Sequence, residues 1–215
     1  MSNRNRRFGW IVGLVIAFVF SAASAADLRE QYGTRSLDAA AHIEAAINLS
    51  RDKKPADADK EIDLAIQADP TCAMSRYWKG IITGQLGDID QSMEHYKKCI
   101  SLRNDDNRKI IASAEGNLGK TLGRLKRYDE AGYWLSRAIV EDEGNVSKEQ
   151  AKAYHDLAVT LHFEGHDLSA GLTAKIGHDI DPVEIPSKMI DEYLNSPGAE
   201  EVARVLTLEN DPAAA

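Results

Sequence analysis

The residues of this 215-residue chain that could bind a metal or supply a base or nucleophile are chiefly its six histidines and two cysteines. His155, His162 and His166 fall within twelve residues, and His178 follows. A metal held on one helix face calls for two imidazoles four residues apart, the spacing of His162 and His166. Gly165 lies between them in the turn-type run Gly165-His166-Asp167, so the helix is expected to end there and split the pair. His155 and His162 are two turns apart, about 10 Å, too far for one ion. Structural or groove-lining roles fit this spacing better than a metal. The metal-based version would be a weak zinc or copper site, or a pH-dependent binding face, since histidine titrates near neutrality. The sequence holds no glycine-rich phosphate loop, serine elbow or His-Glu-x-x-His helix. Acids such as Asp57, Asp59, Glu61 and Asp63 read as a solvated helix face. Asn48-Leu49-Ser50 and Asn145-Val146-Ser147 fit the glycosylation acceptor pattern, which matters only in a eukaryotic secretory route. The expectation is no catalytic centre, no cofactor and no metal.

The elements that position these residues follow from an internal repeat. Segments beginning at Ala39, Ala73, Ala112 and Ala151 align at spacings of 34, 39 and 39 residues. Position 8 is tiny in each (Ala46, Gly80, Gly119, Ala158), and position 11 carries Leu49, Thr83, Leu122 and Leu161. Position 20 is small again (Ala58, Ser92, Ala131, Ala170), and position 27 carries Ala65, Cys99, Ala138 and Gly177. Apolar residues three and four apart mark one buried face in each half of a segment, with turn signals between the halves. Each segment therefore reads as helix, turn, helix. Glycine costs a helix roughly 1 kcal/mol relative to alanine, so Gly80 and Gly119 are expected where two helix backbones approach closely.

This pattern resembles the tetratricopeptide repeat family over about residues 39–182. The third segment is the nearest match, through Leu118-Gly119, Leu122, Tyr128, Ala131, Leu135 and Ala138. Pro55 and Asp167 depart from it where an aromatic is expected, and Asn104 and Glu143 replace the terminal proline. The resemblance implies an all-α, right-handed α-solenoid of four helix pairs (39–72, 73–111, 112–150, 151–182). It also implies a protein or peptide partner held in a groove lined by positions 2, 5, 9, 12 and 13 of each first helix. Those positions place Ile43, Ile47, Met74, Tyr77 and Ile81 at an apolar end, and Lys120, Arg124, His155, Val159 and His162 at a mildly basic end. A partner with an apolar side and some carboxylates would fit. The alternative is that Ile43, Ile47, Tyr77 and Ile81 are core. The lysine and asparagine set with which some members clamp a chaperone's terminal carboxylate is absent, as Ile43 and Tyr77 hold the key places.

Cys72 precedes the first helix of the second repeat and Cys99 lies late in its second helix. Antiparallel pairing would bring those ends together and allow a disulfide. A small buried free thiol suits position 27 equally well. Beyond the repeats, residues 183–208 are expected to form capping helices, with Ser187 and Ser196 as N-caps and Pro197 at N1. Residues 26–38 read as a linker and 209–215 as a loose tail.

Arg4, Arg6 and Arg7 precede an uncharged run from Phe8 to Phe20, and Ala23-Ser24-Ala25 has the small-x-small form of a cleavage site. Residues 1–25 are therefore expected to be a signal peptide, and the chain exported, most simply to a periplasm. A spanning helix needs about 20 apolar residues, so retention of this run as a membrane tether is the alternative. Cleavage removes three arginines and no acid, moving the net charge from −8 to −11. Such a surface disfavours nucleic acid and anionic membranes.

Overall fold

The structure, a computed structural model, describes residues 31–142 and 147–200. The expected signal peptide, the tail and the cap beyond residue 200 lie outside the described residues. Nine full α-helices occur among those described: α1 (Leu37–Arg51), α2 (Pro55–Ala68), α3 (Ala73–Gln85), α4 (Ile89–Ser101), α5 (Arg108–Arg124), α6 (Tyr128–Glu141), α7 (Lys148–Phe163), α8 (Asp167–Ile180) and α9 (Ser187–Leu194). No strand is present among the described residues. The chain divides into two compact units, with the division between Ser92 and Met93 inside α4.

All four turns from a first to a second helix are built alike. Lys53, Gly87, Lys126 and Gly165 occupy the left-handed region, with φ of 60°, 88°, 60° and 82°. They share position 15 of the aligned segments. In each turn the amide after this residue donates to the carbonyl at position 11: Lys54 to Leu49 (2.9 Å), Asp88 to Thr83 (3.0 Å), Arg127 to Leu122 (3.0 Å) and His166 to Leu161 (2.9 Å). The left-handed residue itself donates three residues back. This is the Schellman closure, which satisfies carbonyls that a helix end otherwise leaves open.

In the first unit α1 packs on α2, and α3 packs on both. Ile43, Ile62 and Ile82 have no exposed surface; burying each such side chain stabilises by about 1.5–3 kcal/mol. Lys79 ties α3 to α2 through Asp59 and Asp63, both at 2.8 Å. At the start of α4, Ser92 Oγ donates to the Gly80 carbonyl at 2.6 Å, the close approach that requires a tiny residue at position 8.

Residues 31–38 correct the linker expectation. Tyr32 is buried in the first unit's core, Thr34 donates to Asp69 at 2.5 Å, and Ser36 caps α1 by accepting the Ala39 amide at 3.1 Å. Leu37 and Asp38 already belong to α1. The cysteines take the thiol alternative rather than the disulfide. Cys72 and Cys99 are both buried and unbridged, and the Cys72 thiol donates to the Tyr32 carbonyl at 3.4 Å. Each fills a small apolar core position.

In the second unit, α5 packs on α6, α6 on α7, α7 on α8 and α8 on α9. Gly119 sits where α5 crosses α6: a β-carbon there would lie 2.7 Å from Leu135 Cγ and 3.1 Å from the Ala131 carbonyl. The five residues added after the second repeat include a 3₁₀ turn, Asp105–Asn107, closed by reciprocal bonds between Asn104 and Asn107. Ser147 caps α7. At the cap, Ser187 is the first residue of α9 rather than its N-cap, which is Pro186. Ser196 does accept the Ala199 amide at 3.1 Å, opening a helix with Pro197 in first position.

Candidate functional site

Helical periodicity places positions 2, 5, 9 and 12 of each first helix on one stripe, but neighbouring residues decide what that stripe can offer. In the first unit Ile43 and Ile47 are buried in a core that includes Tyr32. They do not line a groove, which corrects the expectation for these two residues. Tyr32 lies in the segment expected to be loose, so the first-helix pattern alone gave no sign of this cover. Met74, Tyr77 and Ile81 on α3 are partly exposed. Met74 leans on the core, and Tyr77 meets Trp78 edge-on at 6.0 Å.

In the second unit Lys120 on α5 and His155 on α7 converge on one carboxylate. Lys120 Nζ lies 3.3 Å from Asp156 Oδ2, and His155 Nδ1 lies 3.6 Å from Oδ1. Asp156 is a member of this face that stripe counting misses, because it follows His155 directly and stands just off the stripe. The basic end is therefore partly neutralised. Arg124, in the last turn of α5, is exposed, and Val159 is half-buried. His162 points elsewhere: its Nδ1 is 2.6 Å from Asp167 Oδ1, and its ring stacks on Tyr193 at 4.6 Å. Bonds from Ser196 and His162 hold the Asp167 carboxyl below its ordinary range. His162 thus fastens α7 to the start of α8 and to α9. His166 lies beyond the Gly165 turn, outside α7.

A second charged cluster surrounds Glu115, a fully buried residue of α5 that the sequence reading did not single out. Its Oε1 accepts from Arg103 Nη2 and Arg137 Nε, both at 2.9 Å. Its Oε2 is buried with no hydrogen-bond partner among the described residues. Burial pushes this carboxyl up, against the pull of Arg137 and Arg103. Arg103 also reaches Glu141 at 2.8 Å, and Arg108 joins Glu141 at 3.3 Å. A faint signal existed, since a glutamate at a position facing the neighbouring helix needs cations to be tolerated.

Residues 75–106 match the tetratricopeptide repeat family model. Among solved structures the chain is similar to PilF of Pseudomonas aeruginosa, with 16% identity and a TM-score of 0.63 over 83% of this chain and 77% of that one. It is also similar to MamA (41-end) of Desulfovibrio magneticus RS-1, with 18% identity and a TM-score of 0.60 over 80% and 95%. Identities this low speak for the fold alone. A comparison with curated proteins gave no match. Fold and repeat together make this an all-α protein of the tetratricopeptide α-solenoid class; the chain is a tetratricopeptide-repeat protein.

Proposed function

We propose that this chain is an exported adaptor that holds a segment of another protein and does no chemistry of its own. The observation that carries this is the fold itself: stacked helix pairs whose first helices leave partly open faces, with Tyr77 and Ile81 in the first unit and Arg124 and Val159 in the second. Each helix pair buries its apolar stripe against neighbours, which frees the remaining face for a guest. The guest best matched to those side chains is a helix or extended peptide with an apolar side and some carboxylates. The amino-terminal sequence supports export, and a periplasm is the simplest destination. No described helix is long and apolar enough to cross a membrane.

The test is affinity capture from the native envelope with the purified chain, alongside Tyr77→Ala and Arg124→Glu variants. These side chains are partly or fully exposed, so neither change should disturb folding. The expected result is a captured protein that is lost or depleted with at least one variant. Identical capture by all three forms overturns the first-helix reading. A second reading, a tethered assembly factor, is favoured by the uncharged Phe8–Phe20 run. Amino-terminal sequencing separates the two: a start near Ala26 removes the tether.

A further inference from the structure

The outward face of α6 in the second unit carries a feature that the first-helix reading leaves unused. Arg103, Tyr133, Arg137 and Val140 border an open cleft of about 710 Å³, with Gly132 and Ser136 at its floor. Four properties suggest a guest. Tyr133 and Val140 are apolar yet 56% and 63% exposed. The Arg137 guanidinium lies over the Tyr133 ring at 5.8 Å and the Trp134 ring at 5.5 Å, which fixes its fork in place. A β-carbon added at Gly132 would meet nothing within 4 Å, so the floor is open. The fourth property is charge. Arg103, Arg108 and Arg137 bear on only two carboxylates, Glu115 and Glu141. Asp129 also borders the cleft, at the α6 start, and is engaged with the Glu164 carboxyl of the α7 end. Arg137 uses Nε for Glu115 and Nη1 for the Tyr133 hydroxyl, which leaves further N–H groups of its fork beyond these two partners.

We propose that this cleft is a second docking site, and that its occupant is a peptide segment bearing an aspartate or glutamate beside an aromatic or aliphatic residue. The carboxylate pairs with Arg137 and the Tyr133 hydroxyl, a charge-assisted geometry suited to a guanidinium fork. The neighbouring apolar side chain covers Tyr133 and Val140 over the glycine floor. The site uses none of the first-helix residues, so it stands or falls apart from the function proposed above.

The experiment selects a phage-displayed random peptide library on the purified full-length chain, then measures enriched peptides by fluorescence anisotropy. Gly132→Trp fills the cleft into open space, and its thermal melt reports that folding is intact. Arg137→Lys keeps the charge and removes the fork. The expected consensus pairs an acid with an apolar residue. Binding should weaken at least tenfold with Gly132→Trp, with Arg137→Lys, and when the peptide's acid becomes its amide. No enrichment, a consensus without an acid, or undiminished binding to a folded Gly132→Trp chain overturns the proposal. A basic consensus would assign the cleft to a cationic guest through Asp129 and Glu141, also overturning it. So would dimerisation of the chain that Gly132→Trp abolishes, because the occupant is then a second copy.

Discussion

At the residue scale, the repeat columns were legible because they record a steric demand that only tiny side chains meet. Gly119 announces a close helix crossing, and the 2.7 Å approach of Leu135 to its absent β-carbon confirms one. Gly119→Ala should therefore destabilise the protein by about 1–3 kcal/mol through overpacking, despite alanine's helix advantage of about 1 kcal/mol. Gly132→Ala, one turn into the next helix with open space around it, should stabilise by about 0.5–1 kcal/mol. Urea unfolding of both variants checks the sign reversal; destabilisation by both would show that open space at Gly132 does not decide the outcome. The left-handed turn residues were only half legible. Gly87 and Gly165 signal their conformation, whereas Lys53 and Lys126 adopt it at a cost that their residue type conceals. Lys126→Gly should relieve that strain and raise stability by about 0.5–1 kcal/mol, after glycine's own entropic penalty. The same change at exposed Lys152, inside α7, should lower it by about 1 kcal/mol. A shift in the same direction for both would refute the strain.

At the element scale, helix pairing could be read from periodicity, but the covers at each end could not. Tyr32 and Thr34 precede the first repeat and carry no periodic signature, so only their packing shows that they close the core. The departures from the family pattern become intelligible here. Pro55 opens α2, where its missing amide costs nothing. Asp167 opens α8, where it serves His162 and the cap instead of stacking as Tyr128 does on Phe163. That arrangement predicts an acid response of the cap. The Asp167 carboxyl is held below its ordinary value of 3.8 by Ser196 and His162. A carboxylate with a lowered folded pKa contributes stability above its unfolded pKa, and the contribution is lost as pH falls through the folded value. Wild-type protein should thus lose stability relative to Asp167→Asn once pH drops below about 4. Near-ultraviolet circular dichroism of the tyrosines reports the cap at Tyr193. Parallel acid profiles for the two proteins would remove Asp167 from this role.

At the scale of the whole molecule, fold was legible and the partner was not, for one physical reason. Packing demands recur in every repeat and so print a column, whereas a docking surface is written once and has nothing to be aligned with. Asp156 and Glu115 show this: each organises cations around it, and neither belongs to a column. The same locality governs stability. In a repeat array each helix pair leans on its immediate neighbours, so stability is close to a sum of local terms and opening can be partial. Gly119→Ala places its strain between α5 and α6, inside the unit that begins at Met93. Its effect on amide hydrogen exchange should be regional: faster exchange in α5, α6 and α7, with α1 and α2 close to wild-type protection under native conditions. Lys79, held by Asp59 and Asp63, and the Tyr32 cover keep the first unit closed by contacts that this substitution does not touch. Equal acceleration across all helices would mean that the chain opens only as a single cooperative body, and the sum of local terms would then be the wrong description of this protein.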